Sequence, residues 1–439
     1  MNTRLLGKII ILIEVIILVG ITIHAPVTIW LGTLFPSLDE VIKSWKEILM
    51  GVCLVLVIIV VSVQSSWKEV WRDWFVRIAA IYAGIHVALL GWMSQGFLAA
   101  GVGILIDLRY VLYFILVYVT AKYIARSEAR KWLLRAALLG GVIIIGFAAL
   151  QVLILPDAIL ANIGYSRQTI APFLTVDLND AYVRINSTLR GPNPLGAYAG
   201  MALALTVAYV VQHRRTLSNK AKVGAGVFML GSVSALWASY SRSAVVAGVF
   251  MAVLATVLSS FKQISRPVWI SSFIVIFGLI GGIVAARDTA FVSNIVLHEN
   301  PAGGSAEKSN DGHIDSLQDG TNRMIRQPLG GGIGSTGSAS LRSDAPLVIE
   351  NQYLFIAHET GWTGLLTFLG LFSLIMRALW QRREDWLALG MFASGVGLAI
   401  IGLLLPVWVD DTVSIVWWGL AGLAVAAAKG TYGKKRTSN

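Results

Sequence analysis

The sequence predicts an all-α, polytopic integral membrane protein with about twelve transmembrane helices, folded as a single domain over residues 1–439. The first observation is composition, because 56% of the residues are hydrophobic and only 13% are charged. The second is that the apolar residues gather into stretches close to the roughly 20 residues that a helix needs to cross a bilayer. The third is that these stretches lack the two-residue alternation of barrel strands, so helices are expected to satisfy the backbone in lipid.

Twelve apolar stretches follow one another along the chain, and short loops join most of them. They cover approximately residues 5–23, 46–64, 74–94, 98–121, 132–155, 193–212, 222–240, 243–260, 268–286, 352–376, 386–407 and 412–428. Two connections are long, at residues 156–192 and 287–350. Within the second we expect a flexible polar start and an ordered later half with a helix near Ile314–Arg326. Long loops in a compact protein are usually functional or disordered.

Most of the 35 basic residues fall into loops on one side of the membrane. Cytoplasmic loops carry an excess of Lys and Arg, so this bias places both termini in the cytoplasm and the two long loops outside. The net charge of +11 is then mostly an orientation signal and a means of contacting anionic lipids. Nucleic-acid binding is disfavoured, because the basic residues are spread one loop at a time. The single cysteine, Cys53, excludes an intramolecular disulfide and a cysteine metal cluster.

Several arginines remain on the outer side, where positive charge is normally scarce, and these are the candidates for chemistry. Arg109 follows Asp107 near the outer half of the fourth stretch. It is either a phosphate- or sugar-binding group, or a structural partner of Asp107 that reaches toward the interface. Arg190 precedes a break at Gly191–Gly196, where Asn193 can cap a new helix whose exposed amides favour anions. The alternative for Arg190 is an ordinary junction between loop and helix.

A third outer arginine, Arg242, lies between Ser241 and Ser243 in the tight connection of the seventh and eighth stretches. An interfacial anchor is one interpretation. Two flanking serines in a tight turn favour the other, a buried and oriented guanidinium. Arginine suits a diphosphate because its planar fork donates paired hydrogen bonds and keeps its charge.

The end of the large loop supplies further candidates. Arg323 and Arg326 lie there, followed by a glycine-rich run at residues 329–334. That run is neither a Walker nor a Rossmann pattern. It forms either a nest of backbone amides for an anion or a flexible turn. His313 lies between Asp311 and Asp315, but such spacing in a polar loop indicates solvated residues rather than a metal site.

A polar segment opens the tenth stretch, where Glu350 precedes Asn351 and Tyr353. Glu350 is a candidate general base at the membrane boundary. Its alternative is a favourable interaction with the helix dipole. His358 and Glu359 lie deeper and are interpreted as structural. Asp410 and Asp411, in the outer turn before the last stretch, are interpreted as anchoring partners for the outer arginines.

Taken in order, these segments resemble the O-antigen ligase and O-antigen polymerase-like family over roughly residues 40–425. The matching segments are Trp45-Lys46-Glu47, Asp107-Leu108-Arg109-Tyr110, Gln151-Val152-Leu153, Arg190 with Asn193-Pro194-Leu195-Gly196, Ser241-Arg242-Ser243, Pro328-Leu329-Gly330 with Gly334, Asn351-Gln352-Tyr353-Leu354 with Glu359-Thr360-Gly361, and Trp408 with Asp410. Each motif is short, and the ordered combination with one large outer loop carries the resemblance.

The resemblance implies a GT-C-like fold and a metal-independent, inverting glycosyltransferase without cofactors. The donor would be a glycan on undecaprenyl diphosphate, and the acceptor a saccharide on a lipid, lipid A core, wall polymer or protein outside the bacterial cytoplasmic membrane. By motif, Arg190 and Arg242 would bind the donor diphosphate, with assistance from Arg323 or Arg326. Preorganised arginines would then stabilise the charge that develops on the leaving group.

The sequence departs from the family pattern at the general base. Many family ligases carry His before the Asn that opens the tenth helix, whereas this chain has Glu350; where many carry a loop arginine, it has His313. Either residue is a candidate to accept the proton of the acceptor hydroxyl. Two other functional classes stay open: a transporter or flippase for a lipid-linked oligosaccharide or other anionic lipid, and a glycan-binding assembly protein without activity.

Overall fold

The computed structural model describes residues 2–92, 96–176, 179–260, 306–343 and 346–427. Within these ranges the chain is mostly helical, and eight helices are long and apolar enough to cross a membrane by length and composition. Three shorter apolar helices accompany them, at Trp74–Leu90, Trp386–Ile401 and Asp411–Ala426. The expected all-α membrane protein is therefore confirmed in outline. The predicted span at 268–286 lies outside the described residues, as does the start of the large loop.

The N-terminal half of the described chain consists of helices joined by short turns. Their bounds are α1 Thr3–Gly20, α2 His24–Leu34, α3 Asp39–Lys43, α4 Trp45–Val63, α5 Trp67–Trp71, α6 Trp74–Trp92, α7 Phe97–Val119 and α8 Arg126–Leu153. A 3₁₀ turn at Ile21–Ile23 joins α1 to α2, and a π-helical turn at Thr120–Ile124 extends α7. Further 3₁₀ turns lie at Pro36–Leu38 and Ile159–Ile163.

The C-terminal half begins with a feature that the all-α prediction missed. Strands β1 (Leu174–Val176) and β2 (Asn179–Arg184) form a small antiparallel pair in the first long loop, with Thr175 opposite Val183. The helices that follow are α9 Pro192–His213, α10 Asn219–Ala238, α11 Arg242–Ser260, α12 Ala306–Arg326, α13 Gly337–Ser340, α14 Gln352–Gln381, α15 Trp386–Ile401 and α16 Asp411–Ala426.

Two predicted boundaries are corrected by the structure. The first apolar stretch was expected to end at residue 23, but the 3₁₀ turn and α2 carry it to Leu34. The helix expected at Ile314–Arg326 is present and begins earlier, at Ala306. Its apolar positions Leu317 and Met324 pack against a cluster that includes Leu354. The later half of the large loop is therefore ordered against α14.

Helix α16 lies at the centre of the bundle and is buried along its whole length. Two glycines let α7 approach it closely: a Cβ at Gly419 would lie 2.4 Å from the Tyr113 ring, and one at Gly422 would lie 2.8 Å from the Phe114 carbonyl oxygen. Small residues at helix contacts permit such approaches in membrane proteins. This packing brings Arg109, one turn before Tyr113, to the first residue of α16, Asp411.

Candidate functional site

The buried carboxylate of Asp411 is the centre of a charged cluster. Its side chain is 3% exposed, and its Oδ2 lies 3.1 Å from His24 Nε2 and 3.1 Å from Lys46 Nζ. Arg109 forms an ion pair with the same carboxylate and donates a hydrogen bond to the carbonyl oxygen of Val409. Four elements, α2, α4, α7 and α16, therefore meet at one carboxylate.

The position of α4 in this cluster follows from a glycine at the end of α1. A Cβ at Gly20 would lie 2.6 Å from the Trp45 ring, so only glycine leaves room for that indole. The Trp45 indole Nε1 donates to His24 Nδ1 at 2.9 Å. Because an indole only donates, Nδ1 carries no proton and Nε2–H donates to Asp411. Both ring nitrogens of His24 are thereby occupied, which leaves it no lone pair for a base.

A cavity of about 420 Å³ adjoins this cluster. Its charged lining residues are His24, Asp39, Glu40, Lys43, Lys46, Glu47, Arg109, Arg190, Arg342 and Asp411. Most of the cations have a carboxylate partner: Lys43 pairs with Asp39, and Arg342 Nη2 lies 2.6 Å from Glu40 Oε1. Arg190 differs from them. Among the described residues it has no hydrogen bond or ion pair, and it is exposed.

The loop that carries Arg190 is held by buried polar side chains. Ser187, with a φ of 50°, donates from its hydroxyl to the Ile144 carbonyl at 2.6 Å, and its amide donates to Gln151 Oε1 at 2.7 Å. Thr188 donates to the Thr22 carbonyl at 2.6 Å. A fixed loop with an unpaired cation at its end is preorganised to bind an anion without rearranging.

Asn193 does not cap the helix that follows, contrary to the expectation. The cap position of α9 is Gly191, and Asn193 lies within the first turn. Its Oδ1 accepts a hydrogen bond from Arg184 Nη2 at 2.7 Å, while Arg184 Nε donates to the Ser239 carbonyl at 2.9 Å. Asn193 therefore helps to hold the end of β2 against the turn that precedes Arg242.

The structure does not bring Arg242 to the cavity lining. Arg242 begins α11 and is partly buried, and the hydroxyls of Ser241 and Ser243 lie 3.5 Å apart. The preceding residue, Tyr240, has a φ of 44°, which makes the connection from α10 a tight turn.

Three of the loop candidates, Arg323, Arg326 and Glu350, are also absent from the cavity lining. Arg323 Nε is paired with Asp319 Oδ2 at 2.6 Å on α12, and Arg326 is exposed. Glu350 is partly buried, and its amide donates to Ser316 Oγ at 3.4 Å. The side chain of His313 lies outside the described residues.

The residues around the start of α14 hold neighbouring elements together. Asn351 caps α14 by accepting from the amides of Tyr353 and Leu354, and it donates to the Leu403 carbonyl at 2.8 Å. The Tyr353 hydroxyl donates to the Ala399 carbonyl at 2.9 Å. Both residues therefore fasten α14 to the end of α15.

Asp410 caps α16, because its Oδ1 accepts from the Val413 amide at 2.9 Å. Burial and then the adjacent Asp411 carboxylate raise the pKa of Asp410 to about 6. The Val413 amide and the nearby Arg190 and Arg109 oppose that rise. Asp411 is a partner of an outer arginine, as expected, whereas Asp410 acts as a cap.

Backbone amides at the end of the glycine-rich run and just after it hold a carboxyl group that belongs to the protein. The Gly334 and Thr336 amides each donate to the Glu359 carboxylate at 3.2 Å. Gly361 has a φ of 65° and interrupts α14 where the Gly-rich run crosses it. Asp107 Oδ2 lies 3.7 Å from His86 Nε2, and the Asp107 carboxyl adjoins Glu359, whereas Arg109 pairs with Asp411.

Seven of the ten charged cavity residues were not singled out from the sequence as site candidates, among them His24, Lys46 and Glu47. Lys46 and Glu47 entered only as part of the family resemblance, although two ionisable residues at the start of an apolar stretch are themselves a functional signal. Within the described ranges, no group of three or more His, Cys, Asp and Glu side chains is arranged to hold a metal ion.

No protein-family model matches this chain, and a search of curated proteins returns no match. Its function is therefore inferred from the cavity and the residues that line it.

Proposed function

We propose that this protein is a glycosyltransferase of the O-antigen ligase and polymerase type in the bacterial cytoplasmic membrane. It has about twelve transmembrane helices in a GT-C-like arrangement and both termini in the cytoplasm. It transfers a glycan from undecaprenyl diphosphate to a saccharide acceptor on the outer face. The observation that carries the proposal is the unpaired Arg190, fixed on an anchored loop at the mouth of a charged cavity.

The location of the cavity supports an outer-face reaction. It is lined by α2, by the first half of α7, by the starts of α4 and α16, and by Arg190 just before α9. The opposite ends of α4, α9 and α16 lead into the basic loops that positive-inside orientation assigns to the cytoplasm. A lipid-linked donor in the outer leaflet would reach this cavity with its headgroup while its chain stays in the bilayer.

The charges of the cavity fit a diphosphate leaving group. Arg190 is available to form paired hydrogen bonds with phosphate oxygens. Arg109 is held by Asp411, so it contributes a fixed positive charge behind the cavity rather than a mobile ligand. As the sugar–diphosphate bond breaks, negative charge grows on the leaving oxygen, and fixed cations stabilise that charge without reorganising.

The remaining sequence candidates keep their proposed roles. Arg242 begins a helix on the same side of the bundle and would contact the donor beyond the cavity lining. Arg323 and Arg326 belong to α12 and would assist from the large loop. By family resemblance Glu350 and His313 are candidates for the general base, but Glu350 does not line the cavity and the side chain of His313 lies outside the described residues.

A transfer assay tests the proposal. Purified protein in liposomes is given radiolabelled undecaprenyl diphosphate oligosaccharide, with and without an added saccharide acceptor. A ladder of longer lipid-linked products identifies a polymerase, and release of undecaprenyl diphosphate only with an added acceptor identifies a ligase. Activity should persist in the presence of a chelator, because the arginines replace a metal.

Movement of the intact donor across the vesicle membrane without bond cleavage would contradict the transferase and support the transporter. Binding without transfer or transport, with every acceptor class, would support an assembly protein. Arg167→Ala is the matched control for an Arg190→Ala variant in these assays. Both arginines are exposed in the same loop, and Arg167 does not line the cavity.

A further inference from the structure

One carboxylate oxygen of Glu47 contacts two cations, and the other has no hydrogen-bond partner in the part of the chain that the structure describes. It lies in the first turn of α4, its side chain is 11% exposed, and it lines the same cavity as Arg190. Its Oε1 lies 3.2 Å from Lys46 Nζ and 3.8 Å from Arg109 Nη1. Its Oε2 is buried and accepts no hydrogen bond from any described residue.

An unsatisfied buried carboxylate oxygen is costly and therefore calls for an explanation. A negatively charged side chain in the first turn of a helix interacts favourably with the helix dipole, and this interaction accounts for a charge at Glu47. It does not account for Oε2, which a purely structural residue would direct toward a donor. Among the described residues, Arg109 Nε and Asp411 Oδ1 are likewise buried without a hydrogen-bond partner, although Asp411 Oδ1 forms an ion pair with Arg109. Three such atoms thus belong to side chains that line one cavity, and of the two carboxylate oxygens only Glu47 Oε2 has no ion-pair partner either.

The other carboxylates of the cavity are less suited to accept a proton there. Asp411 is engaged by His24, Lys46 and Arg109 at once. Asp39 and Glu40 are paired with Lys43 and Arg342, and their side chains are 33% and 59% exposed, which places them in contact with water.

We infer that Glu47 is the general base that activates the acceptor hydroxyl. This inference rests on the proposed glycosyl transfer. When the acceptor binds, a small rotation of the Glu47 side chain brings Oε2 to the acceptor hydroxyl, and Oε2 accepts the hydroxyl proton while Oε1 stays beside Lys46 and Arg109. The hydroxyl oxygen forms a bond to the anomeric carbon, and the bond from that carbon to the diphosphate oxygen breaks. The electron pair leaves with the undecaprenyl diphosphate at Arg190, and the protonated Glu47 then returns its proton to solvent.

The test compares Glu47→Gln with Glu128→Gln in the liposome transfer assay, alongside binding of labelled donor. Glu128 is a matched control, because it is also a first-turn glutamate of a long helix and does not line this cavity. Loss of a general base lowers turnover by about 10²–10⁴-fold. We expect that loss in Glu47→Gln, with donor affinity within about threefold of wild type, since ground-state binding does not use the base.

Glu47→Asp provides a second measurement if Glu47→Gln folds poorly. It keeps the carboxylate but withdraws it by one methylene, so turnover should fall less than in Glu47→Gln while donor affinity is kept. Turnover near wild type in Glu47→Gln overturns the inference. Loss of donor affinity together with turnover in folded protein also overturns it, because Glu47 would then be a structural counter-ion. If the wild-type protein shows no turnover with any acceptor, the proposed glycosyl transfer is refuted, and the role of Glu47 as its general base is refuted with it.

Discussion

Arg109 and Asp411 form a buried ion pair that joins α7 to the first residue of the central helix α16, with side-chain exposures of 5% and 3%. Lys46 and His24 contact the same carboxylate from α4 and α2. The pair therefore ties together the elements that build the cavity, and it fixes a positive charge behind Arg190.

Removing the charge of Asp411 should be strongly destabilising. Asp411→Asn leaves Arg109 and Lys46 buried without their principal counter-ion, and breaking a buried pair in this way costs about 3–5 kcal/mol. The measurement is the free energy of unfolding in mixed detergent micelles. Asp39→Asn is the control, because it breaks a more exposed pair with Lys43 and such pairs contribute about 0–1 kcal/mol. Equal stability of the two variants would refute the anchoring role.

The stability of the protein should depend on pH through Asp410. Its pKa is raised from 3.8 to about 6, so the folded protein binds this proton more tightly than the unfolded chain. The stabilisation from proton binding is present below about pH 4 and is lost as pH rises through 6. A rise of about two units in the pKa of Asp410 corresponds to at most about 3 kcal/mol in the free energy of unfolding. Asp410→Asn can still cap α16, but it has no carboxyl to titrate. Its free energy of unfolding, measured from pH 4 to 7, should therefore lack this fall. Parallel pH profiles for the variant and wild type would contradict the role of Asp410.

The contact between Glu359 and the Gly-rich run should control the order of that segment. Glu359→Ala leaves the amides of Gly334 and Thr336 without an acceptor, and each unsatisfied buried amide costs about 1–3 kcal/mol. We expect faster limited proteolysis within residues 327–343 and lower stability. Glu384→Ala, in the exposed turn after α14, is the control. Unchanged proteolysis in Glu359→Ala would show that the carboxylate does not hold the segment.

The interruption of α14 at Gly361 should not tolerate a side chain. Gly361 has a φ of 65°, and a Cβ there would lie 2.4 Å from the Pro328 carbonyl oxygen. Strained backbone alone costs about 1–3 kcal/mol, so Gly361→Ala should destabilise the protein by at least that amount. At Gly370, in the same helix, a Cβ meets nothing within 4 Å. Gly370→Ala should therefore stabilise the protein by up to about 1 kcal/mol. Thermal unfolding of both variants measures the two changes in stability.

The helical membrane architecture could be predicted from the sequence because hydrophobic length is a local property. Helix α2 could not be predicted, since His24 and Pro26 are residues typical of the end of an apolar stretch. A proline near the start of a helix removes only an amide that lacks an intrahelical partner, so α2 accommodates it. Strands β1 and β2 were missed because three to six residues in a polar loop carry no clear alternation.

The partners within the site depend on distant contacts that a single sequence does not reveal. Asp107 and Asp411 were both plausible partners of Arg109, and packing of α7 against α16 selects Asp411. Arg190 could be singled out as a candidate from the sequence, because a cation before a Gly–Pro break on the outer side is unusual. Glu47 could not be singled out in this way, because the role proposed for it rests on which oxygen lacks a donor, and this is set by the tertiary structure.

The most direct measurement of the central claim is the affinity of the reconstituted protein for radiolabelled undecaprenyl diphosphate. Charge-assisted hydrogen bonds contribute about 1.5–3 kcal/mol each, so Arg190→Ala should weaken binding by about 10- to 100-fold. Arg190→Lys should lie between that variant and wild type, because it keeps the charge but loses the planar fork. Arg167→Ala should bind as wild type. Equal affinity of wild type and Arg190→Ala would contradict a diphosphate site in this cavity.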